Sequence, residues 1–199
     1  ILYDAVDYRD FKPNYNNTIK NTCFYSGSFS RGKGLEIILK ISKKLPQINF
    51  HLYGNKDTIY DKLILEKKYK NVYFKGYLKY SKLVKKINNY KILLMPYKKK
   101  VSVLIKEINV EKYFSPLKMF DYLASGKIII ASNLPVYKNI LKNKKNSLIL
   151  KENIDLWSKN IIKCNMDRKY NYLGKKARLD SKKYSWKNRV LNILKFYEK

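Results

Sequence analysis

Several residue types are scarce in this chain, and each shortage narrows the chemistry open to it. Only two cysteines occur in 199 residues, Cys23 and Cys164, about 140 positions apart and with no metal-type spacing around either. That excludes a disulfide framework and a cysteine-based metal site, and leaves free buried thiols in a reducing, cytoplasmic compartment as the expectation. The one histidine, His51, lies inside a strand-like run, NFHLYG, where a core or edge role is expected rather than general-base duty. No Asp-x-Asp pair or histidine cluster offers a site to a divalent ion, so no metal is expected. The glycine pattern of dinucleotide-binding folds and the Walker A spacing are both missing, which disfavours a dinucleotide cofactor or an ordinary NTPase. Apolar runs such as ILLMP and KIIIAS are strand-sized, well short of the ~20 residues of a membrane-spanning helix.

Acidic residues are also few: 15 Asp plus Glu stand against 44 Lys plus Arg, a formal charge of +29. Nearly all of the positive charge is lysine, with arginine only at positions 9, 31, 168, 178 and 189. The lysines are spread over the whole chain among many Ile, Asn and Tyr, as in a solvated surface of biased composition. The 19 tyrosines are not grouped with arginine as a stacking platform for nucleic acid would require. A nucleic-acid partner is therefore disfavoured, and peripheral attraction to anionic lipid at the inner membrane face is a side effect of the charge.

A length of 199 residues with 45% apolar content supports one compact domain with a real core. The opening ILYDAVDYRDF has no signal-peptide core and starts with Ile1, so the sequence is expected to begin within a longer protein. Short β-type runs then alternate with helical patterns: NTCFYSG, a helix over Gly34 to Leu45, INFHLYG, a polar helical stretch from Asp57 to Tyr69, and NVYFKGY. A helix from Ser81 to about Asn89, a strand at Lys91 to Pro96, a helix at Pro116 to Ala124 and strands at Lys127 to Ser132 and Ser147 to Leu150 continue the series. This alternation predicts an α/β fold with a doubly wound parallel sheet. Lys98 to Phe114 has no clear period and is long for a connection, which suggests a functional loop. The tail SWKNRVLNILKFYEK has apolar residues at helical spacing and is expected to pack across the domain. The polar stretch Asp10 to Asn21 reads as an interdomain connection.

In an open α/β sheet ligands bind beyond the carboxyl ends of the strands. After the first strand comes Gly27-Ser28-Phe29-Ser30-Arg31-Gly32-Lys33-Gly34, where glycines permit close backbone approach and Lys33 stands at a helix start. The same residues also make a plain structural turn. Ser115-Pro116-Leu117-Lys118 is a well-defined helix start, with Ser as N-cap and Pro at the first helical position. The backbone N–H groups of Leu117 and Lys118, the positive helix end and the Lys118 ammonium form an anion site suited to a diphosphate. The bland alternative is a well-capped helix. Asp121 favours the ligand, because it shares an i, i+4, i+7 stripe with Leu117 and Ala124 in an apolar stretch, where a carboxylate is costly unless something bonds to it. A pair of ribose hydroxyls would do so.

The segment SPLKMFDYLASGKIIIASNLP resembles the donor-site motif of group-1 glycosyltransferases. The resemblance extends over nearly the whole chain. Asp4-Ala5-Val6-Asp7 with Phe11 is similar to the family's interdomain hinge, Gly27 to Gly34 to its glycine and lysine turn, and Ser185-Trp186 to its C-terminal helix. It implies the C-terminal half of a GT-B fold: a hinge over residues 1–20, a Rossmann-like donor domain over 21–183, a terminal helix over 184–199, and an acceptor domain on the N-terminal side that this chain lacks. By the resemblance Lys33 and Lys118 are catalytic, Gly27, Ser28, Arg31, Ser115, Pro116 and Leu117 hold the diphosphate of a UDP- or GDP-type nucleotide-sugar, Asp121 holds the ribose, and Tyr77 meets the base. It also implies metal-independent transfer, with retention of configuration, to a glycan or lipid-linked acceptor. Two positions depart from the pattern. The family's pair of glutamates, eight positions apart, appears as Asp121 with Tyr113, so either Glu107 or Glu111 substitutes or sugar recognition differs. Ser28 replaces the arginine near the first glycine, with Arg31 able to reach the same space. The competing classes are a non-catalytic module of the same fold and a basic nucleic-acid-binding domain.

Overall fold

A computed structural model describes residues 3–55, 68–103, 106–109 and 117–197. Six strands form one parallel sheet: β1 (Thr22–Ser26), β2 (Asn49–Tyr53), β3 (Val72–Gly76), β4 (Ile92–Met95), β7 (Ile128–Ser132) and β8 (Leu148–Leu150), in the spatial order β3-β2-β1-β4-β7-β8. Between β4 and β7 lies a separate antiparallel hairpin, β5 (Lys100–Val103) with β6 (Lys106–Asn109). The helices are α1 (Leu35–Lys44), α2 (Tyr80–Ile87), α3 (Leu117–Ser125), α4 (Ile154–Met166), α5 (Asn171–Ser181) and α6 (Trp186–Tyr197).

Every residue of β1, β4 and β7 is buried, as expected for parallel strands covered on both faces, whose sequences run continuously apolar. The edge strand β3 instead alternates, with Val72 and Phe74 inside and Tyr73 and Lys75 outside. Crossovers between parallel strands are right-handed as a rule, which sorts the helices onto the two faces. Helix α1 packs on α4 over one face, while α3 packs on α5 and α2 over the other. In α1, Leu35, Ile38, Leu39 and Ile41 are buried and Lys40, Lys43 and Lys44 exposed, as their spacing predicts. Trp157 of α4 is fully buried and its indole N–H donates to the Lys151 carbonyl at 3.0 Å.

Two sequence expectations change. The segment Lys98 to Phe114 carries the β5–β6 hairpin: the period-two pattern of Lys100-Val101-Ser102-Val103 is only four residues long, too short to stand out among the flanking lysines. The tail does form a helix, but it does not pack across the domain: Trp186, Val190, Leu191, Leu194 and Tyr197 are all exposed. Its start is held beside the N-terminal segment, where Arg189 donates to the Tyr3 carbonyl and pairs with Asp4 at 3.3 Å, and the Val6 N–H donates to the Tyr184 carbonyl at 2.9 Å. The helix expected from Asp57 falls almost wholly outside the described residues. The polar stretch before β1 runs along the domain, with the Ile19 N–H on the Asn89 carbonyl at 2.8 Å and the Lys127 ammonium on the Asn14 carbonyl.

The carboxyl ends of β1 and β2 are drawn together tightly. The Gly27 N–H donates to the Tyr53 carbonyl at 2.8 Å, and a Cβ on Gly54 would overlap the Gly27 carbonyl oxygen. Gly54→Ala is therefore expected to cost about 1–3 kcal/mol, the usual range for overpacking against backbone. A urea unfolding midpoint equal to that of the parent would show that the strand ends can part freely.

Candidate functional site

The chain leaves β1 toward β2 and β3, then returns through α2 to place β4 on the other side of β1. This reversal opens a crevice between the carboxyl ends of β1 and β4, where open sheets hold ligands. A cavity of about 260 Å³ lies at the β1 side of it, lined by Ser26, Gly27 and Ser28 after β1, Gly54 and Asn55 after β2, Tyr77 and Leu78 after β3, and Lys118 and Asp121 from α3. Helix α3 is fixed against β1 by the buried Tyr122 hydroxyl, which accepts the Ser26 N–H at 3.0 Å. Its neighbours Phe120 and Leu123 are buried in the core, so the helix cannot rotate without exposing them.

Lys118 lies at the centre. Its ammonium is buried, has no hydrogen-bond partner, and stands over the rings of Tyr25 and Tyr97 at 4.1 and 4.8 Å from their centroids. The aromatic faces offset part of its lost hydration. Desolvation, with Lys33 nearby as the second cause, still holds it well below the usual lysine range, and the Asp121 carboxylate opposes the shift. The cation also meets the bare backbone of Gly27, where φ is 144° and a Cβ would come within 2.5 Å of the Lys118 Nζ. Any side chain there would displace the ammonium. The Tyr25 hydroxyl braces the turn, 3.0 Å from the Ser28 carbonyl and 3.1 Å from that of Lys33.

Asp121 lines the same cavity one turn further along α3. Its carboxylate accepts the Tyr80 hydroxyl from α2 at 2.9 Å. Part of its surface remains open, but protein crowds it enough that desolvation raises its pKa to about 6, against the lowering effects of Tyr80 and Lys118. An anion-attracting cation and a hydroxyl-binding carboxylate thus share one wall of a small cavity.

Of the residues expected from sequence, Gly27, Ser28, Tyr77, Lys118 and Asp121 line this cavity. Lys33 is close enough for its charge to act on Lys118, although it is not part of the lining. Arg31 is exposed, as is Leu117, and neither lines the cavity. Ser115 and Pro116 lie outside the described residues, as do Glu111 and Tyr113, and nothing is described of the Glu107 side chain. Tyr53, Gly54 and Asn55 were missed, although the strand-end rule that found Gly27 applies equally after β2. Tyr80 carried no sequence signal, because only the tertiary fold brings α2 to α3. Among the described residues no group of His, Cys, Asp and Glu is placed to hold a metal ion, and no helix is long and apolar enough to cross a membrane.

The sequence profile of the group 1 glycosyl transferases matches residues 7–180. The chain belongs to that family. No curated protein sequence matches it significantly. Among solved structures, sucrose-phosphate synthase from Thermosynechococcus elongatus superposes with a TM-score of 0.78 at 18% identity, over 99% of this chain and 51% of that one. HepE from Anabaena, solved in complex with UDP, gives 0.79 at 12% identity, over 99% of this chain and 56% of that one. The C-terminal domain of LpcC, a group 1 protein from Francisella tularensis, gives 0.68 at 14% identity, over 91% of this chain and 99% of that domain. These likenesses establish the fold. The glycosyltransferase chain described here spans about half the length of the sucrose-phosphate synthase and HepE chains.

In this family member the raised pKa of Asp121 has a consequence for stability. The folded carboxyl binds its proton more tightly than the unfolded one, whose value is 3.8, so ionisation weighs against folding. The penalty is absent below pH 3.8, grows as pH rises, and is complete above about 6. Asp121→Asn should therefore stabilise the free chain relative to wild type more at about pH 7.5 than at about pH 4, measured as urea midpoints. Tyr80→Phe removes a bond that lowers the carboxyl and should shift the upper end of the window to higher pH. A gap between Asp121→Asn and wild type that does not change with pH would contradict both expectations.

Proposed function

We propose that the chain is the donor-binding part of a glycosyltransferase that takes its sugar from a nucleoside diphosphate. The observation that carries this reading is the buried, unpartnered Lys118 ammonium beside the side-chain-free wall at Gly27. A cation desolvated in this way is costly to the empty protein and is compensated by an anion that enters against it. The diphosphate lies along Gly27 and Ser28, between Lys118 and Lys33, with the positive end of α3 adding to the field. The ribose hydroxyls donate to Asp121, one helical turn away, and the base lies beside Tyr77. UDP in the HepE complex supports the choice of a nucleotide diphosphate.

In the transfer, the bond from the anomeric carbon to the diphosphate oxygen breaks, a bond to an acceptor hydroxyl oxygen forms, and the hydroxyl's proton passes to the departing diphosphate. Negative charge grows on the departing diphosphate. On this reading Lys118 and Lys33 stabilise that charge without a metal, and because the Lys118 ammonium is already held against Tyr25, Tyr97 and Gly27, little reorganisation is needed there. The acceptor, glycan or lipid-linked, is held by a further domain of the kind that makes up the other half of the longer relatives, and configuration is retained. The buried free thiols of Cys23 and Cys164 suit a reducing cytoplasm. On this reading the chain alone binds nucleotide and transfers no sugar.

Isothermal titration with UDP and GDP tests the proposal, and the absence of heat with either at millimolar concentration would sink it. Lys118→Ala should weaken nucleotide binding about ten- to a hundredfold, the usual worth of a hydrogen bond to a charged group. The same variant should unfold at a urea concentration no lower than wild type, because it removes an unpaired buried charge. An unchanged affinity would remove Lys118 from the site.

A further inference from the structure

A second concavity is lined by Tyr97, the ring that Lys118 faces. It has a volume of about 350 Å³ and opens beyond the ends of β4, β7 and β8, with Ser132 and Asn133 in its lining. Lys98, Lys99, Lys138 and Lys151 line it, with Glu152 as the only acid among the described residues of the lining. Through Asn133 and Lys138 it continues into a neighbouring cavity of about 380 Å³, to which Lys142 and Lys145 also contribute. The donor cavity, by contrast, has one lysine and one aspartate.

The frame of this groove is rigid. The Asn133 N–H donates to the Leu150 carbonyl at 2.8 Å, the Leu134 N–H to the Ser132 carbonyl at 2.9 Å, and the Trp157 indole holds the Lys151 carbonyl. On the near side the Lys98 N–H donates to the Gly32 carbonyl at 2.8 Å, which ties the groove to the glycine turn of the donor site. Among the described lining residues the opposing charge of Glu152 reaches Lys98 at 3.8 Å, too far for a hydrogen bond and weak between half-exposed partners. A concave surface with an excess of one sign focuses its potential. Lysine ammoniums are point charges with rotatable donors, suited to several phosphate oxygens in no fixed orientation rather than to the planar, bidentate recognition that arginine gives.

We infer that this lysine groove is a second anion site, which receives a short run of phosphate groups carried by the acceptor while the nucleotide-sugar occupies the donor cavity. The inference rests on the donor reading for its place in transfer, but not for binding itself. A planar membrane surface does not enter a concavity walled by Leu134 and Pro135, so the commitment is to a discrete phosphorylated molecule.

The probe is inorganic tripolyphosphate, titrated into the chain with and without saturating UDP. Lys138→Glu with Lys151→Glu reverses two groove charges. Lys40→Glu with Lys163→Glu, exposed on α1 and α4 and outside both cavities, gives a control of equal net charge. The expected result is saturable tripolyphosphate binding that persists with UDP present, weakens by about tenfold or more in the groove variant, and changes less than about twofold in the control. The groove variant should bind UDP as wild type does. Complete displacement of tripolyphosphate by UDP, equal weakening in groove and control variants, or no tripolyphosphate binding would each overturn the inference. If UDP fails to bind at all, the donor reading falls, and the comparison of groove and control variants still decides the groove.

Discussion

The reversal of chain direction between β1 and β4 is the constraint on which the site depends. Crossovers that leave neighbouring strands in opposite directions cannot fill the space between the strand ends, so the sheet has an opening built in at that point. Everything around it is then arranged by packing. Tyr122 locks α3 to the end of β1 from below the opening, and Phe120 and Leu123 root the helix in the core. Lys118 and Asp121, on the remaining face, are left no direction but the cavity. The functional side chains are thus positioned by apolar neighbours that touch no ligand.

The two charged groups placed there are both held in states they would not choose. Burial disfavours the ammonium of Lys118 and the carboxylate of Asp121, and the pair only partly relieve one another. A free lysine and aspartate in water would avoid this cost, and an ordinary core would replace both by apolar residues. Such a pair in a cavity lined by Gly27, with the rings of Tyr25 and Tyr97 against the ammonium, is the usual trade of stability for pre-organisation at functional sites. The glycine matters as much as the charges, because it keeps open the space in which an incoming anion meets the cation.

Much of this was legible from the sequence, and for identifiable reasons. Buried parallel strands are continuous apolar runs, so β1, β4 and β7 declared themselves, and the turn after each then fell at the ligand-binding edge. Asp121 stood out as a carboxylate in the apolar stretch LKMFDYLASG. The failures have a common cause: periodicity reports which face of an element is apolar, not what covers it. The stripe on α6 reads as a packing face, yet Trp186, Val190 and Leu194 face solvent here. In the same way nothing in a chain with 19 tyrosines tells what Tyr80 on α2 and Tyr97 after β4 face, and only the fold sets one against Asp121 and the other against Lys118.

Lysine is the most conspicuous feature of the composition and by itself the least informative. At a formal charge of +29 almost any exposed surface is basic, and an exposed lysine is screened within about 8 Å at physiological salt. Position turns that uniform charge into chemistry. Lys118 is set apart because its ammonium is dry, faces two aromatic rings and lies against backbone, so its field is concentrated in one small volume. The groove lined by Tyr97 concentrates charge differently, by curvature and by an excess of lysine over acid among its described lining residues, with Lys99, Lys138 and Lys151 exposed. A dry cation suits the fixed, repeated binding of one diphosphate geometry, and a wet cluster suits an anion whose phosphates vary in position. One ring, Tyr97, belongs to both environments, because its face meets the Lys118 ammonium and it also lines the groove.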